Sequence, residues 1–101
     1  MKDIIDQLNK VFDNKARLGI MSVLLVNDRL NFNALKELLE MTDGNLSSHL
    51  STLEKNKYIE VKKQFIERKT NTTYRVTPLG KRSFQIHLQA LEQLIRKNTK
   101  N

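Results

Sequence analysis

The chain has 101 residues and a mass of 11.8 kDa, the size of one domain, since domains cluster at about 100–150 residues. Apolar residues make up 39% and charged residues 29%, with three Gly, one Pro and no Cys, which excludes a disordered chain, a turn-rich β-sandwich, disulfides and thiolate chemistry. Eighteen Lys and Arg against eleven Asp and Glu leave a net charge of +7, and a small domain this basic suits a polyanion because each phosphate contact releases counterions. Acidic residues stand at Asp3 and Asp6, where a signal peptide would be apolar, and the longest apolar run is Val23-Leu24-Leu25-Val26. The expectation is a cytoplasmic chain without membrane spans.

Ile4, Ile5, Leu8, Val11 and Phe12 keep helical spacing and predict a first helix ending near Asp13 and Asn14. Residues 16–26 are apolar nearly all round and predict a buried second helix. Asn27-Asp28-Arg29 reads as a turn, and Leu30-Asn31-Phe32 as one short strand. Asn33 is the expected N-cap of a third helix over 34–41, with Leu35, Leu38 and Leu39 inward. Thr42 caps a fourth that runs to about Asn56, with Asp43 favourable in its first turn. Ile59, Val61 and Phe65 then alternate with Glu60, Lys62 and Gln64, the period of a strand whose return partner carries Tyr74 and Val76. Between them 66–72 forms a polar, basic hairpin tip. Thr77-Pro78 opens a last helix to about Lys97, bearing Leu79, Phe84, Leu88, Leu91, Leu94 and Ile95.

Two helices across a short turn followed by a β-hairpin make a winged helix-turn-helix, mainly α with a small hairpin wing (α+β). One domain over 1–101 is expected, with the helix-turn-helix at 33–56, the wing at 58–77 and terminal helices at 1–13 and 78–97. Residues 54–82 hold nine of the eighteen basic residues against three acidic ones, so positive charge concentrates around the hairpin. In the fourth helix Leu46, Leu50 and Leu53 share one arc at about 100° per residue. The opposite side presents Gly44, Ser48, Ser51, Thr52 and Lys55, with Asn45 at its edge. A solvated helix normally carries Glu–Lys pairs there. Small hydroxyl and amide groups suit close approach to a major-groove floor, and helix-turn-helix docking favours that reading over a plain polar face.

Phe32-Asn33-Ala34-Leu35-Lys36-Glu37-Leu38-Leu39, Thr42-Asp43-Gly44-Asn45-Leu46-Ser47-Ser48-His49-Leu50 and Leu53-Glu54-Lys55 resemble the winged-helix transcriptional regulators of the MarR and ArsR type. The small, stand-alone MarR-like group is the nearest, and the hairpin at 68–77 with Gly80 continues the likeness over roughly 15–90. The resemblance implies a dimeric, sequence-specific regulator of transcription on double-stranded DNA, with helix 43–56 in the major groove and the wing near 66–72. Carried over, the DNA-facing positions are Asp43, Gly44, Asn45, Ser47, Ser48 and Thr52, with Arg68 and Lys69 in the wing; the outward phase adds Lys55. The wing departs from the pattern, with Glu67 in place of a Gly before the basic pair and Thr70-Asn71 in place of Pro-Arg after it. That departure argues for backbone contact rather than deep minor-groove insertion.

The only histidines, His49 and His87, stand on different helices, so neither a metal nor another cofactor is expected. His49 lies between the apolar arc and the outward face, placed to pack on a neighbour or meet a phosphate; His87 is expected as a partly buried interface residue. No phosphate loop or nucleophile motif occurs. Ser47 and Ser48 lie beside His49, but adjacent helical residues diverge by about 100° and form no nucleophile–base pair, so the chain is not read as an enzyme. Ile4, Leu8, Val11 and Phe12 at the front, with Leu88, Leu91, Leu94 and Ile95 at the back, exceed what a small core needs and predict a homodimer interface. A protein-interaction winged helix binding an acidic partner is the alternative. An RNA role is disfavoured because no stacking aromatic is expected on an exposed sheet face.

Overall fold

The amino-terminal segment departs from its own helical spacing. In the computed structural model, which describes residues 1–98, helix α1 covers only Lys2–Ile5, and a single 3-10 turn follows at Lys10–Phe12. Asn9 breaks the expected helix. Its side chain accepts from the Val11 N–H (2.9 Å) and donates to the Tyr58 hydroxyl (2.9 Å), while its backbone N–H donates to His87 Nδ1 (2.9 Å). Two tertiary bonds and one local cap on a single residue, plus full burial of Phe12, outweigh a local preference that helix propensity sets only weakly.

Helix α2 (Lys15–Val26) starts where Asn14 Oδ1 accepts from the Arg17 N–H (3.0 Å). After strand β1 (Leu30–Asn31), Asn31 Oδ1 accepts from Ala34 (2.8 Å) and starts α3 (Phe32–Leu39). The cap is therefore Asn31, not Asn33, and Phe32 belongs to the helix. Glu40, left-handed at φ 51°, ends α3. Thr42 Oγ1 then accepts from Asn45 (3.2 Å) at the head of α4 (Asp43–Lys55). Each cap satisfies one of the orphan N–H groups that a helix start leaves.

Strands β2 (Ile59–Ile66) and β3 (Lys69–Val76) pair antiparallel from Ile59↔Val76 to Ile66↔Lys69, and β1 joins the far edge of β3 through Leu30↔Tyr74. The expected seven-residue tip is a two-residue turn. Glu67 (φ 50°) and Arg68 (φ 66°) occupy it, both left-handed as the strands' right-handed twist requires, although neither is Gly or Asn. Helix α5 (Pro78–Asn98) begins with Thr77 Oγ1 accepting from the Gly80 N–H (2.9 Å) and donating to the Lys57 carbonyl (2.7 Å).

The core is built around α2, whose Ile20, Met21 and Leu24 meet Leu35, Leu46, Leu50, Leu53, Ile59 and Phe84. Phe12 completes it, with ring centroids 4.9 Å from Tyr58 and 5.0 Å from Phe84. Two expected inward residues point elsewhere. Leu38 is 59% exposed, because Leu35 and Leu39 fill the space α3 shares with the core. Phe65 is 75% exposed, because the hairpin runs past the core after Ile59 and Val61.

Candidate nucleic-acid interface

Leu46, Leu50 and Leu53 are all buried, which fixes the rotation of α4 about its axis. The remaining faces follow. Asp43, Gly44, Asn45, Ser47, Ser48 and Lys55 are exposed and Thr52 is half-exposed. Thr52 Oγ1 donates to the Ser48 carbonyl (3.2 Å), so its hydroxyl is partly engaged along the helix. Asp43 is held by Lys36 Nζ at 2.8 Å, which offsets a carboxylate on a surface otherwise suited to an anion. Gly44 has open space where a Cβ would stand, so its smallness serves no internal packing.

Beside this face, Ser47, Ser51 and Glu54 of α4 look across a cleft of about 400 Å³ at Val61 and Lys63 of β2 and Thr72 and Tyr74 of β3. Hydroxyls, one Lys and the Glu54 carboxylate supply the polar lining of this trough between helix and hairpin. Burial, and secondarily the Glu54 carboxylate, hold the Tyr74 phenol above its ordinary value, so it stays a neutral hydrogen-bonding group. Arg68 stands in the turn and Lys69 opens β3, both exposed. On the other strand face Arg75 pairs with Glu60.

His49 is bound from behind. Arg17 Nη1 lies 3.0 Å from its Nδ1, and Arg17 Nε donates to the Val11 carbonyl (2.6 Å). Because guanidinium only donates, Nδ1 is the acceptor and the proton of neutral His49 sits on Nε2. Burial first, and then the Arg17 charge, hold His49 below the ordinary histidine value. Periodicity carries no sign of Arg17, which lies on an apolar helix thirty-two residues away in sequence. His87 is buried in its own subunit rather than at an interface edge; burial lowers its pKa and Asp13 opposes the shift.

The residues expected to dimerise divide. Phe12 is fully buried and Ile4 nearly so, with Leu8 and Val11 half-buried, so the amino-terminal group packs largely on its own chain. Phe12 is closed to a partner. Leu88, Leu91 and Ile95 remain exposed on α5 at spacings of three and four, and Leu94 is half-buried beside them. Among the described residues no group of three His, Cys, Asp or Glu is placed to hold a metal ion, and no helix is long and apolar enough to cross a membrane.

A core-anchored helix with small polar groups outward, set beside a basic hairpin, is the arrangement of a winged-helix DNA-binding domain. The chain belongs to the winged helix DNA-binding domain family, whose model matches residues 16–95. It is 35% identical over 85 residues to an uncharacterized protein of Methanocaldococcus jannaschii, covering 84% of this chain and 92% of that one. A transcriptional regulator homologue from Pyrococcus horikoshii superposes with a TM-score of 0.81 at 30% identity, over 95% of this chain and 93% of its own. A protein described as a putative MarR-family transcriptional regulator, from Porphyromonas gingivalis, shares the fold at a TM-score of 0.66 and 20% identity, over 89% and 86% of the two chains.

Proposed function

We propose that this DNA-binding regulator acts as a homodimer that reads a specific duplex sequence, with α4 in the major groove and the wing on the adjoining backbone. The observation that carries the reading is the outward face of α4. Asn45 and Ser48 are exposed on it, and no bulky side chain stands between them to hold a base pair away. Asn can bond an adenine edge in the groove, and Ser can meet any base or a phosphate. In the trough, Lys63 and the hydroxyls of Ser47, Ser51 and Thr72 can meet a phosphodiester strand leaving the groove, against the single carboxylate of Glu54, and Arg68 and Lys69 add positive charge at the hairpin end. The exposed stripe Leu88, Leu91 and Ile95 supports pairing through α5, which would present two reading helices to a two-fold operator.

Selection of bound sequences from a random duplex library, followed by mobility shifts with competitor DNA, tests the reading. A two-fold recovered site whose discrimination drops when Asn45 and Ser48 are both replaced by Ala supports it. Capture of no sequence, with tight binding to an acidic protein surface instead, would move the assignment to a protein-interaction module.

A further inference from the structure

Lys36 pairs outside its own helix. Glu40, four residues on, is the helical neighbour a Lys ordinarily meets, but Glu40 is left-handed and closes α3. Lys36 Nζ lies instead 2.8 Å from Oδ1 of Asp43, the first residue of α4. The pair is open to solvent, with 43% of the Lys36 and 72% of the Asp43 side chain exposed, and an ion pair so exposed adds little to stability. Among the described residues Asp43 Oδ2 takes no hydrogen bond, and the Lys36 ammonium keeps two N–H groups beyond the one given to Asp43. Gly44, next along α4, has open space where a Cβ would stand, so it does not screen the pair.

A phosphate contact does not suit these groups. Glu37 and Glu40 line one groove with Lys36, and Lys15 stands in the neighbouring cleft with Glu40. Three carboxylates, Asp43 included, thus face two ammonium groups. A carboxylate beside a duplex is tolerated where it accepts a hydrogen bond, and on the major-groove floor the donors are the amino groups of cytosine and adenine. The ammonium at its side chooses between them. Guanine offers two adjacent acceptors, N7 and O6, with the cytosine amino group next in line, whereas an A·T pair sets its one donor between two acceptors. Two free N–H groups beside a carboxylate match the first order, and at A·T one N–H would face a donor. The first residues of a helix docked in this way are those that meet base edges. Resting on the DNA-binding reading above, we propose that Lys36 and Asp43 act together as a specificity-determining pair that selects a G·C base pair beside the position met by Asn45. Lys36 donates to guanine O6 and N7, and Asp43 accepts from cytosine N4.

The test selects duplexes from a random library with the full chain, once unmodified and once as Lys36→Gln. The Gln amide matches adenine N6 and N7, so one recovered position should change from G·C to A·T while the rest of the site stays. At that position, A·T in place of G·C should weaken the unmodified chain about tenfold, the effect of losing one paired base contact. Inosine·C should bind as G·C does, since inosine keeps O6 and N7 and lacks only the minor-groove amino group. Asp43→Asn should erase most of the tenfold preference. An unchanged melting temperature shows that the variants fold. If both selections return the same site, the ion pair only ties α3 to α4 and the proposal falls, with the DNA-binding reading intact. Inosine·C weakening together with A·T would put the preference in the minor groove or in DNA shape and overturn it. Lys36→Gln weakening every duplex equally, with a flatter salt dependence, would make Lys36 a phosphate contact and overturn it too. If the unmodified chain captures no duplex, the DNA reading itself fails and takes the base assignment with it.

Discussion

Arg17 Nη1 stands 3.0 Å from His49 Nδ1, tying the head of α2 to the outer side of α4. The same guanidinium holds the Val11 carbonyl, so the Phe12 turn and α4 share one clamp. A proton on Nδ1 would remove the acceptor and set a cation against Arg17. His87 is constrained in the same sense, since its Nδ1 accepts from the Asn9 N–H.

Both histidines are therefore held below the ordinary value in the folded chain, by burial in each case and additionally by Arg17 at His49. The unfolded chain binds these protons more readily, so stability is fully present above the unfolded value near 6.5 and is lost as pH falls from there toward the depressed folded values. Melting temperature should drop between about pH 7.5 and about pH 5. His87→Asn keeps an acceptor near the Asn9 N–H without a titrating group and should flatten part of that drop. A melting curve independent of pH across this window would contradict both assignments.

Leu50 is 3% exposed and is central to the phase of α4. Leu50→Ala should destabilise the fold by roughly 2–5 kcal/mol, read by thermal or denaturant melting. An effect near zero would rotate the helix and withdraw the outward face assigned above.

Gly80 seats α5 on the rest of the domain. A Cβ there would stand 2.0 Å from the Tyr58 carbonyl oxygen, which also accepts from the Thr77 N–H at 3.0 Å. The obstruction is backbone and cannot rotate away. Gly80→Ala should therefore cost about 1–3 kcal/mol despite Ala's better helix propensity, and Gly80→Val more. A stabilised Ala variant would mean that α5 can shift without loss.

Where residue identity alone decides the local geometry, the fold is legible in the sequence: Thr42 before Asp43, Thr77 before Pro78, and the leucines of α4 each act as their types suggest. Three of the departures share one cause. Asn9, Leu38 and Phe65 depend on distant partners, and spacing along the chain carries no record of His87, Tyr58 or the length by which a hairpin overshoots the core. Helical spacing at 4–12 is real, but bonds to α5 and to Tyr58 divide the segment. The outward polar face of α4 is legible because it lies opposite a leucine arc on one helix. The trough is not, because it needs the register Val61↔Tyr74 as well as the rotation of α4.

The α5 stripe makes assembly testable without disturbing the core. Leu88 and Leu91 are 43% and 36% exposed, so charged residues there are solvated in a lone subunit but buried unpaired in a dimer. Leu88→Glu with Leu91→Glu should weaken association by about 100-fold or more, seen by sedimentation as a shift to one chain's mass with little change in circular dichroism. DNA affinity should fall in parallel, as one reading helix acts alone. An unchanged dimer would place the interface elsewhere.

The last prediction separates sequence reading from charge. Arg68 occupies the hairpin turn, held left-handed beside Glu67, and Lys55 ends α4 on its exposed side. Binding to phosphates releases counterions and carries no sequence information, whereas base-edge bonds do the opposite. Arg68→Ala should weaken specific and random duplex by similar factors. It should also flatten the slope of log K against log salt by about one for each phosphate no longer neutralised per subunit, hence about two for a dimer. Lys55→Ala should follow the same pattern. Asn45→Ala with Ser48→Ala should instead narrow the gap between specific and random duplex by about 1–3 kcal/mol for each base-edge bond removed, and leave the slope nearly intact. If Arg68→Ala spares random DNA but abolishes one sequence, the turn reads bases in the minor groove despite Glu67. If neither basic substitution alters binding or its salt dependence, the DNA surface does not include the wing or the end of α4, and the acidic-partner reading takes precedence.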